Sequence, residues 1–291
     1  MQIIYYYQTF CGLKQILDNP NWITTINLSS IHFGNGDNKP YIHLNDNPPD
    51  DPIFDNLWME IAQIQKSGVK IILMVGGAGG GYFYLFNNYD KCFKLLEKTI
   101  RNYNIQGIDL DIEESVNILD VIKLIVHLKQ TFGNDFIITM APVLYSLQYD
   151  VKGLGDFCYK KLYNLVGDKI SWFNVQSYYS YTSTDYDLMI KNGYPANKLV
   201  LGMISSQFDK NTFTNALDTI KTLKNKYTDF GGCYVWEYFD APPDNNNHSI
   251  WAKEIYELTN VKYVKYIISL IIICLSIVFY LYFNIFVYTI F

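Results

Sequence analysis

Asp109, Asp111 and Glu113 are the residues of this sequence best suited to chemistry. They stand in Gly107-Ile108-Asp109-Leu110-Asp111-Ile112-Glu113, where acidic and apolar residues alternate. Alternate side chains of a β-strand share a face, so the pattern sets the acids on one side and Ile108, Leu110 and Ile112 on the other. Two settings fit: an exposed acidic face on an antiparallel edge strand, or an inward cluster on a buried one. The neighbouring strand candidates are strongly apolar, which favours burial. Like charges confined away from water respond by holding protons. A carboxyl that holds its proton is what a general acid needs, and Glu113, nearest the strand's C-terminal end, is placed to be that acid.

The elements around this segment read as a repeating alternation. Strand candidates are Ile3–Tyr7, Ile26–Phe33, Lys70–Val75, Gly107–Ile112, Phe136–Ala141, Trp172–Tyr178, Leu199–Ile204 and Gly232–Trp236. Helical spacing falls between them at Pro52–Ser67, Tyr89–Tyr103, Val116–Phe132, Asp156–Leu165, Tyr186–Lys191 and Thr212–Tyr227, with Ile250–Leu258 last. Strands and helices alternating in this way predict an α/β fold, a closed parallel (β/α)8 or TIM barrel, with an open doubly wound sheet as the alternative. In a barrel the apolar side of Gly107–Glu113 meets the surrounding helices and the three acids point inward. The stretch from Gly34 to Asp51, rich in Pro, Gly, Asn and Asp, is too long for an ordinary connection and reads as a βα loop or a small hairpin on one rim.

A second run, Gly76-Gly77-Ala78-Gly79-Gly80-Gly81, follows the strand ending at Val75. No register gives G-x-G-x-x-G and no Lys-Ser/Thr follows, so neither nucleotide-binding motif is met. Close backbone approach at the barrel rim explains the glycines better. The five cysteines and four histidines show no ligand spacing, so no metal or other cofactor is indicated, and no disulfide framework either. Net charge is -5 with no basic stripe, which argues against nucleic acid as a partner. The 26 Tyr residues suit stacking on sugar faces, although compositional drift accounts for them as well.

Both ends carry expectations. Met1 to Phe10 lacks the basic and then apolar pattern of a secretory signal and reads as the first strand. Tyr266 to Phe291 holds no charged residue. As a helix it would reach ~39 Å at ~1.5 Å per residue, against ~30 Å of bilayer hydrocarbon. The expected organisation is a domain over 1–260, a juxtamembrane linker over 261–265 and a single C-terminal transmembrane helix over 266–291. The simplest topology is a tail anchor with the main domain on the cytosolic side; the alternative is exposure on a virion or cell surface.

The acid-bearing segment resembles the D-G-x-D-x-D-x-E signature of family-18 glycoside hydrolases, the chitinases and endo-β-N-acetylglucosaminidases. Other pieces follow in that family's order: Gly76-Gly77, Met140-Ala141-Pro142, Gln176-Ser177-Tyr178 and Trp236. The likeness runs from about Ile4 to Leu258. Ile42–Asp50, Phe136–Val143 and Val235–Phe239 are most similar to a fungal endo-β-N-acetylglucosaminidase branch.

The resemblance implies a retaining, substrate-assisted hydrolysis of the β-1,4 bond between N-acetylglucosamine units, in chitin-like polymers or the chitobiose core of N-glycans. Glu113 would protonate the glycosidic oxygen. Asp111 would orient the substrate's acetamido group and stabilise the charge developing on its nitrogen. Asp109 would sit deeper and share a proton with Asp111. Tyr178 would hold the acetamide oxygen beside Gln176, with Tyr179 as the alternative register. Trp236 would floor the site with Tyr6 nearby, and Gly76, Gly77 and Met140 would complete it; Trp236 and Tyr6 also fit plain core aromatics. Glu114 points to the opposite face and reads as structural.

Two residues depart from the family pattern: Gln106 stands where the signature has Asp, and Met74 where a Ser usually precedes the Gly-Gly turn. Met74 cannot hydrogen-bond to Asp109, which leaves open how that carboxyl is held. The competing reading is a membrane protein that binds sugar without turning it over. Retention of both Glu113 and Asp111 argues against it.

Overall fold

The computed structural model describes residues 1–37 and 39–260. Its first half runs β1 (Gln2–Tyr7), α1 (Lys14–Asp18), β2 (Thr25–Gly36), β3 (Lys39–Leu44), α2 (Asp55–Lys66), β4 (Lys70–Gly76), α3 (Tyr82–Asn87), α4 (Tyr89–Asn102) and β5 (Gly107–Asp111). The second half runs α5 (Ile118–Phe132), β6 (Ile137–Met140), α6 (Tyr145–Gln148), α7 (Tyr159–Val166), β7 (Trp172–Val175), α8 (Ser183–Lys191), β8 (Leu199–Ile204), α9 (Lys210–Lys226) and β9 (Gly232–Trp236). Residues 249–260 are helical.

Pairing proceeds β1-β9-β8-β7-β6-β5-β4-β2, and β1 also pairs with β2 in parallel, so the sheet closes on itself. The structure is thus a closed TIM barrel, and the open doubly wound sheet is excluded. β3 lies outside the ring, antiparallel to β2, with Ile31 opposite Leu44 and Gly34 opposite Tyr41. The long rim connection is therefore a hairpin.

Strand alternation sorts the side chains into two layers. Outward residues such as Ile71, Leu73, Ile108, Leu110, Ile138 and Phe173 are fully buried against the helices. Inward residues Ile4, Tyr6, Ile72, Met74, Trp172, Val200 and Tyr234 form a separate cluster in the barrel. Burying an aliphatic side chain contributes about 1.5–3 kcal/mol, so both layers resist a one-residue slip that would exchange them. The face on which Asp109 and Asp111 lie is fixed by that register.

Helix starts are set locally: Asn117 accepts from the Leu119 amide, Thr182 from that of Asp185, and Asp209 forms a capping box with Thr212. The structure corrects two strand ends by three residues: β2 continues to Gly36, and β7 ends at Val175 and leaves Gln176 to Tyr178 in the following turn. The short helices α1, α3 and α6 have no counterpart among the sequence expectations, being too brief to show a helical period. The linker and the transmembrane helix expected over 261–291 lie outside the described residues. Among the described residues, no helix is long and apolar enough to cross a membrane.

Candidate active site

Chemistry in a parallel barrel gathers where strands end and βα loops begin, and the acids of β5 sit there. Asp109 is fully buried inside the ring. One carboxyl oxygen accepts from the Tyr6 hydroxyl at 2.7 Å; the other accepts from the Thr139 hydroxyl at 2.5 Å and the Asn174 amide at 3.0 Å. The indole N–H of Trp172 donates to Asn174 Oδ1 at 2.9 Å, which turns the amide nitrogen toward Asp109. Burial pushes the Asp109 carboxyl above its ordinary range, and these donors pull it partly back.

This answers the question raised by Met74. Three donors from β1, β6 and β7 take up the hydrogen bonding that a serine would have shared. The expectation that Asp109 shares a proton with Asp111 is not what its contacts show, because its two oxygens are engaged by Tyr6, Thr139 and Asn174. Met74 lies inside the barrel at 1% exposure, its sulfur accepting from Ser30 at 3.9 Å. Gln106 has no part in the site. Its side-chain oxygen accepts from the Ile71 amide at 2.9 Å, at the far end of β5, ~16 Å from Asp111 at ~3.3 Å per residue.

Asp111 is the last residue of β5, and Glu113 follows beyond the strand end. Both line one cavity of about 280 Å³. The Gln176 amide nitrogen donates to Asp111 Oδ1 at 3.1 Å, to Glu113 Oε1 at 3.2 Å and to the Ala141 carbonyl at 2.9 Å. All three partners are acceptors, so the nitrogen end of the amide must face them. Burial first, then the charges of Glu113 and Asp109, push the Asp111 carboxyl well above the usual range; the Gln176 bond opposes them.

The Gly-rich turn closes over this pair. Gly76 and Gly77 have φ of +94° and +79°, and the Gly77 amide donates to the Asp111 carbonyl at 2.9 Å. A Cβ on Gly76 would lie 2.3 Å from that carbonyl oxygen, so glycine is required by both backbone conformation and space. Glu114, as expected, serves structure. Its carboxylate accepts from the Tyr82 amide at 2.6 Å at the start of α3.

Tyr178 and Trp236 line the cavity wall. The Tyr234 hydroxyl donates to the Tyr178 oxygen at 3.4 Å, and burial raises the Tyr178 phenol far above its usual value. Tyr179 is 89% exposed, with φ of +68°, and its amide donates to Gln207. Of the two tyrosines, Tyr178 is the one that borders the cavity. Tyr6 lies below the cavity, its ring 5.4 Å from that of Trp236, and acts on the site through Asp109.

Met140 is a correction. It follows inward-facing Thr139 on β6, so alternation sends it outward, where it is fully buried against the helices and away from the cavity. Inward Thr139 on β6 and Asn174 on β7 were missed by sequence reasoning. Each stands two positions before a residue that borders the cavity or its acids, and each is polar in an apolar strand, which was the available signal. Gln8, Ser30, His32 and Ile204 also line the cavity. Ser30 and His32 lie within β2, Ile204 ends β8 and Gln8 directly follows β1. Glu237 was missed too; its carboxylate accepts from the Gln8 and Thr9 amides at 2.8 and 2.9 Å, tying the loop after β1 to the end of β9. Among the described residues, no three His, Cys, Asp or Glu side chains are grouped as a metal site.

The arrangement is a desolvated carboxyl whose pKa burial raises, a neighbouring glutamate, a shared amide donor and an aromatic wall. It can deliver a proton to a leaving oxygen and stabilise adjacent positive charge. Comparison with known proteins places it. Chitinase 2 of Rhizopus oligosporus is 25% identical, over 62% of this chain and 36% of that protein, so the chain spans about a third of the length of that relative. Among solved structures, a fungal endo-β-N-acetylglucosaminidase of glycosyl hydrolase family 18 is 30% identical with a TM-score of 0.79, covering 89% of this chain and 98% of that one. The chitinase ChiC of Aspergillus fumigatus is 28% identical with a TM-score of 0.75, covering 84% and 93%. The profile described as "Glycosyl hydrolases family 18" matches residues 2–268, and the chain belongs to that family of glycosidases.

Proposed function

We propose that this protein hydrolyses the β-1,4 bond between N-acetylglucosamine units with retention of configuration, using the substrate's own acetamide as nucleophile. The observation that carries the reading is the Gln176 nitrogen shared by Asp111 and Glu113 on one cavity wall. Burial, then the charges of Glu113 and Asp109, raise the proton affinity of Asp111. A bound acetamide, whose nitrogen gains positive charge, favours ionised Asp111.

Glu113 then protonates the glycosidic oxygen while the acetamide oxygen bonds to the anomeric carbon, and the leaving sugar departs as a neutral alcohol. Asp111 as carboxylate stabilises the oxazolinium so formed. Glu113, now a carboxylate, removes a proton from the water that opens this intermediate, which restores the acid. Tyr178 donates to the acetamide oxygen, and Trp236 supports the distorted ring. The substrate is a chitooligosaccharide or the chitobiose core of an N-glycan.

The full chain incubated with chitooligosaccharides and with a high-mannose glycopeptide should release reducing N-acetylglucosamine ends. Glu113→Gln should abolish release while sugar still binds, and a thiazoline mimic of the oxazolinium should inhibit. Undiminished turnover by Glu113→Gln would exclude Glu113 as the acid, and absence of thiazoline inhibition would exclude the substrate-assisted route.

We also propose, from the uncharged run 266–291 alone, that the chain is membrane-anchored with its barrel on the cytosolic side. Protection of the barrel from protease in sealed vesicles of known sidedness would refute that orientation.

A further inference from the structure

The seam at which the barrel closes is completed by a side chain. The β1–β9 ladder runs from Gln2 opposite Gly232 to Tyr5 opposite Val235, yet the two strands continue to Tyr7 and Trp236. On its other side Trp236 still pairs with Ile204 of β8. Toward β1 the pairing stops one residue short of Trp236, and the carboxylate of Glu237 takes its place. Oε2 accepts from the Gln8 and Thr9 amides at 2.8 and 2.9 Å, and Oε1 accepts from the Thr9 hydroxyl at 2.6 Å.

The groups joined in this way belong to the cavity wall. Gln8 and Trp236 line the cavity, whereas Glu237 does not. Gln8 is also held from the hairpin side. Its carbonyl accepts from the Asn45 side-chain nitrogen at 3.1 Å, and its own side-chain nitrogen donates to the Ser30 hydroxyl at 3.4 Å. Among the described residues no Lys or Arg pairs with Glu237. Two amides and a hydroxyl satisfy it instead, and bonds from such donors to a carboxylate are short and strong.

A glutamate beside a reacting centre has two uses: its charge acts on the reaction, or its oxygens fix the geometry of others. Here both oxygens are engaged by Gln8 and Thr9, and the residue stays out of the cavity lining. We propose that Glu237 is a positioning residue for hydrolysis, which holds Trp236 and Gln8 at a fixed separation across the seam by accepting hydrogen bonds, its charge being dispensable. This rests on the hydrolase reading above, in which Trp236 supports the distorted sugar ring. A supporting group displaced by about 1 Å costs on the order of 10²-fold in rate, so the seam bears on kcat more than on KM.

The test contrasts Glu237→Ala with Glu237→Gln in the full-length protein, with chitohexaose as substrate. Glutamine preserves all three contacts without the charge. Its amide oxygen accepts from both backbone amides, and its nitrogen donates to the Thr9 hydroxyl, which has lone pairs to accept. Glu237→Ala should lower kcat about 10–100-fold with a smaller change in KM. Glu237→Gln should restore kcat to within about threefold of the unmodified enzyme, with both limbs of the pH profile unmoved. Thr9→Val removes one of the three donors and should fall between. Thermal melting separates these effects from unfolding. A glutamine variant as slow as the alanine one, or one whose pH limbs move, assigns the effect to charge and overturns the proposal.

Amide hydrogen exchange reads the same geometry without any sugar. The Gln8 and Thr9 amides should exchange slowly in the unmodified protein and in Glu237→Gln, and about tenfold faster in Glu237→Ala. That result supports the seam even if the unmodified protein cleaves nothing, an outcome that would count against the hydrolase reading alone. Hydrolysis with both kcat and exchange unmoved by Glu237→Ala overturns the positioning role and leaves the hydrolase reading standing.

Discussion

Gln176 offers the sharpest perturbation of the site, because a single nitrogen serves both acids. An amide has two N–H protons and here meets three acceptors, at 3.1, 3.2 and 2.9 Å, so at least one proton is shared. Hydrogen bonds to charged partners contribute about 1.5–3 kcal/mol each, which bounds the whole arrangement at ~3–6 kcal/mol. Only the part that differs between bound substrate and transition state affects turnover. One preorganised donor is typically worth about 10²–10³ in kcat.

Gln176→Leu should therefore lower kcat by about 10²–10³ with a smaller change in KM. It should also move the pH profile. The Gln176 bond is the one influence that lowers the Asp111 pKa; without it, burial and the charges of Glu113 and Asp109 act unopposed. In the proposed mechanism Asp111 ionises to stabilise the oxazolinium, so the acid limb of kcat/KM should shift to higher pH. Steady-state kinetics on a chitooligosaccharide from pH 4 to 9 measure both effects. A kcat within about threefold of the unmodified enzyme, or a kcat loss with an unmoved acid limb, would refute the claim that this amide sets the state of the acid pair.

Asp111→Asn should abolish turnover yet stabilise the fold at neutral pH. The folded pKa of Asp111 lies above its unfolded value, so this carboxyl favours the native state at low pH and loses that contribution as pH rises through the folded pKa. Asparagine cannot ionise, so melting should show the variant ahead at pH 7, at ~2–4 °C per kcal/mol, with the gap closing toward pH 4; an equal gap at both pH values would contradict this. Tyr178→Phe should reduce kcat by about 10–100-fold, whereas Tyr179→Ala, at a position 89% exposed, should stay within about twofold. The reverse order would return the site to the other register.

Much of the fold was legible because periodicity survives without coordinates. The alternation in Gly107–Glu113 identified both the buried strand and its inward acids, and each of the eight ring strands overlaps a run recognisable by its β-rich composition. Met140 was misplaced because a motif was carried over as a block, without asking which of its members alternation turns inward. Trp236 ends β9 as its strand run implied, whereas Gln176 meets the acids from the turn after β7. The acids' partners were less legible. Thr139 and Asn174 stand 30 and 65 residues from Asp109, and nothing local says that their side chains meet it.

Sequence alone determined which residues alternate, where glycine is needed, and that three carboxylates share one face. These are properties of neighbouring residues, set by the two-residue strand repeat and by backbone sterics. Tertiary structure decided how Asp109 is satisfied in place of a serine, that Gln106 is too distant to matter, and that one amide couples Asp111 to Glu113. It also decided that the rim hairpin borders a trough whose lining shares Gln8, His32 and Gly79 with the cavity. Those facts depend on ring closure, which brings β1, β6, β7 and β9 around β5, and a contact between residues far apart in the chain leaves no repeat in the sequence to reveal it.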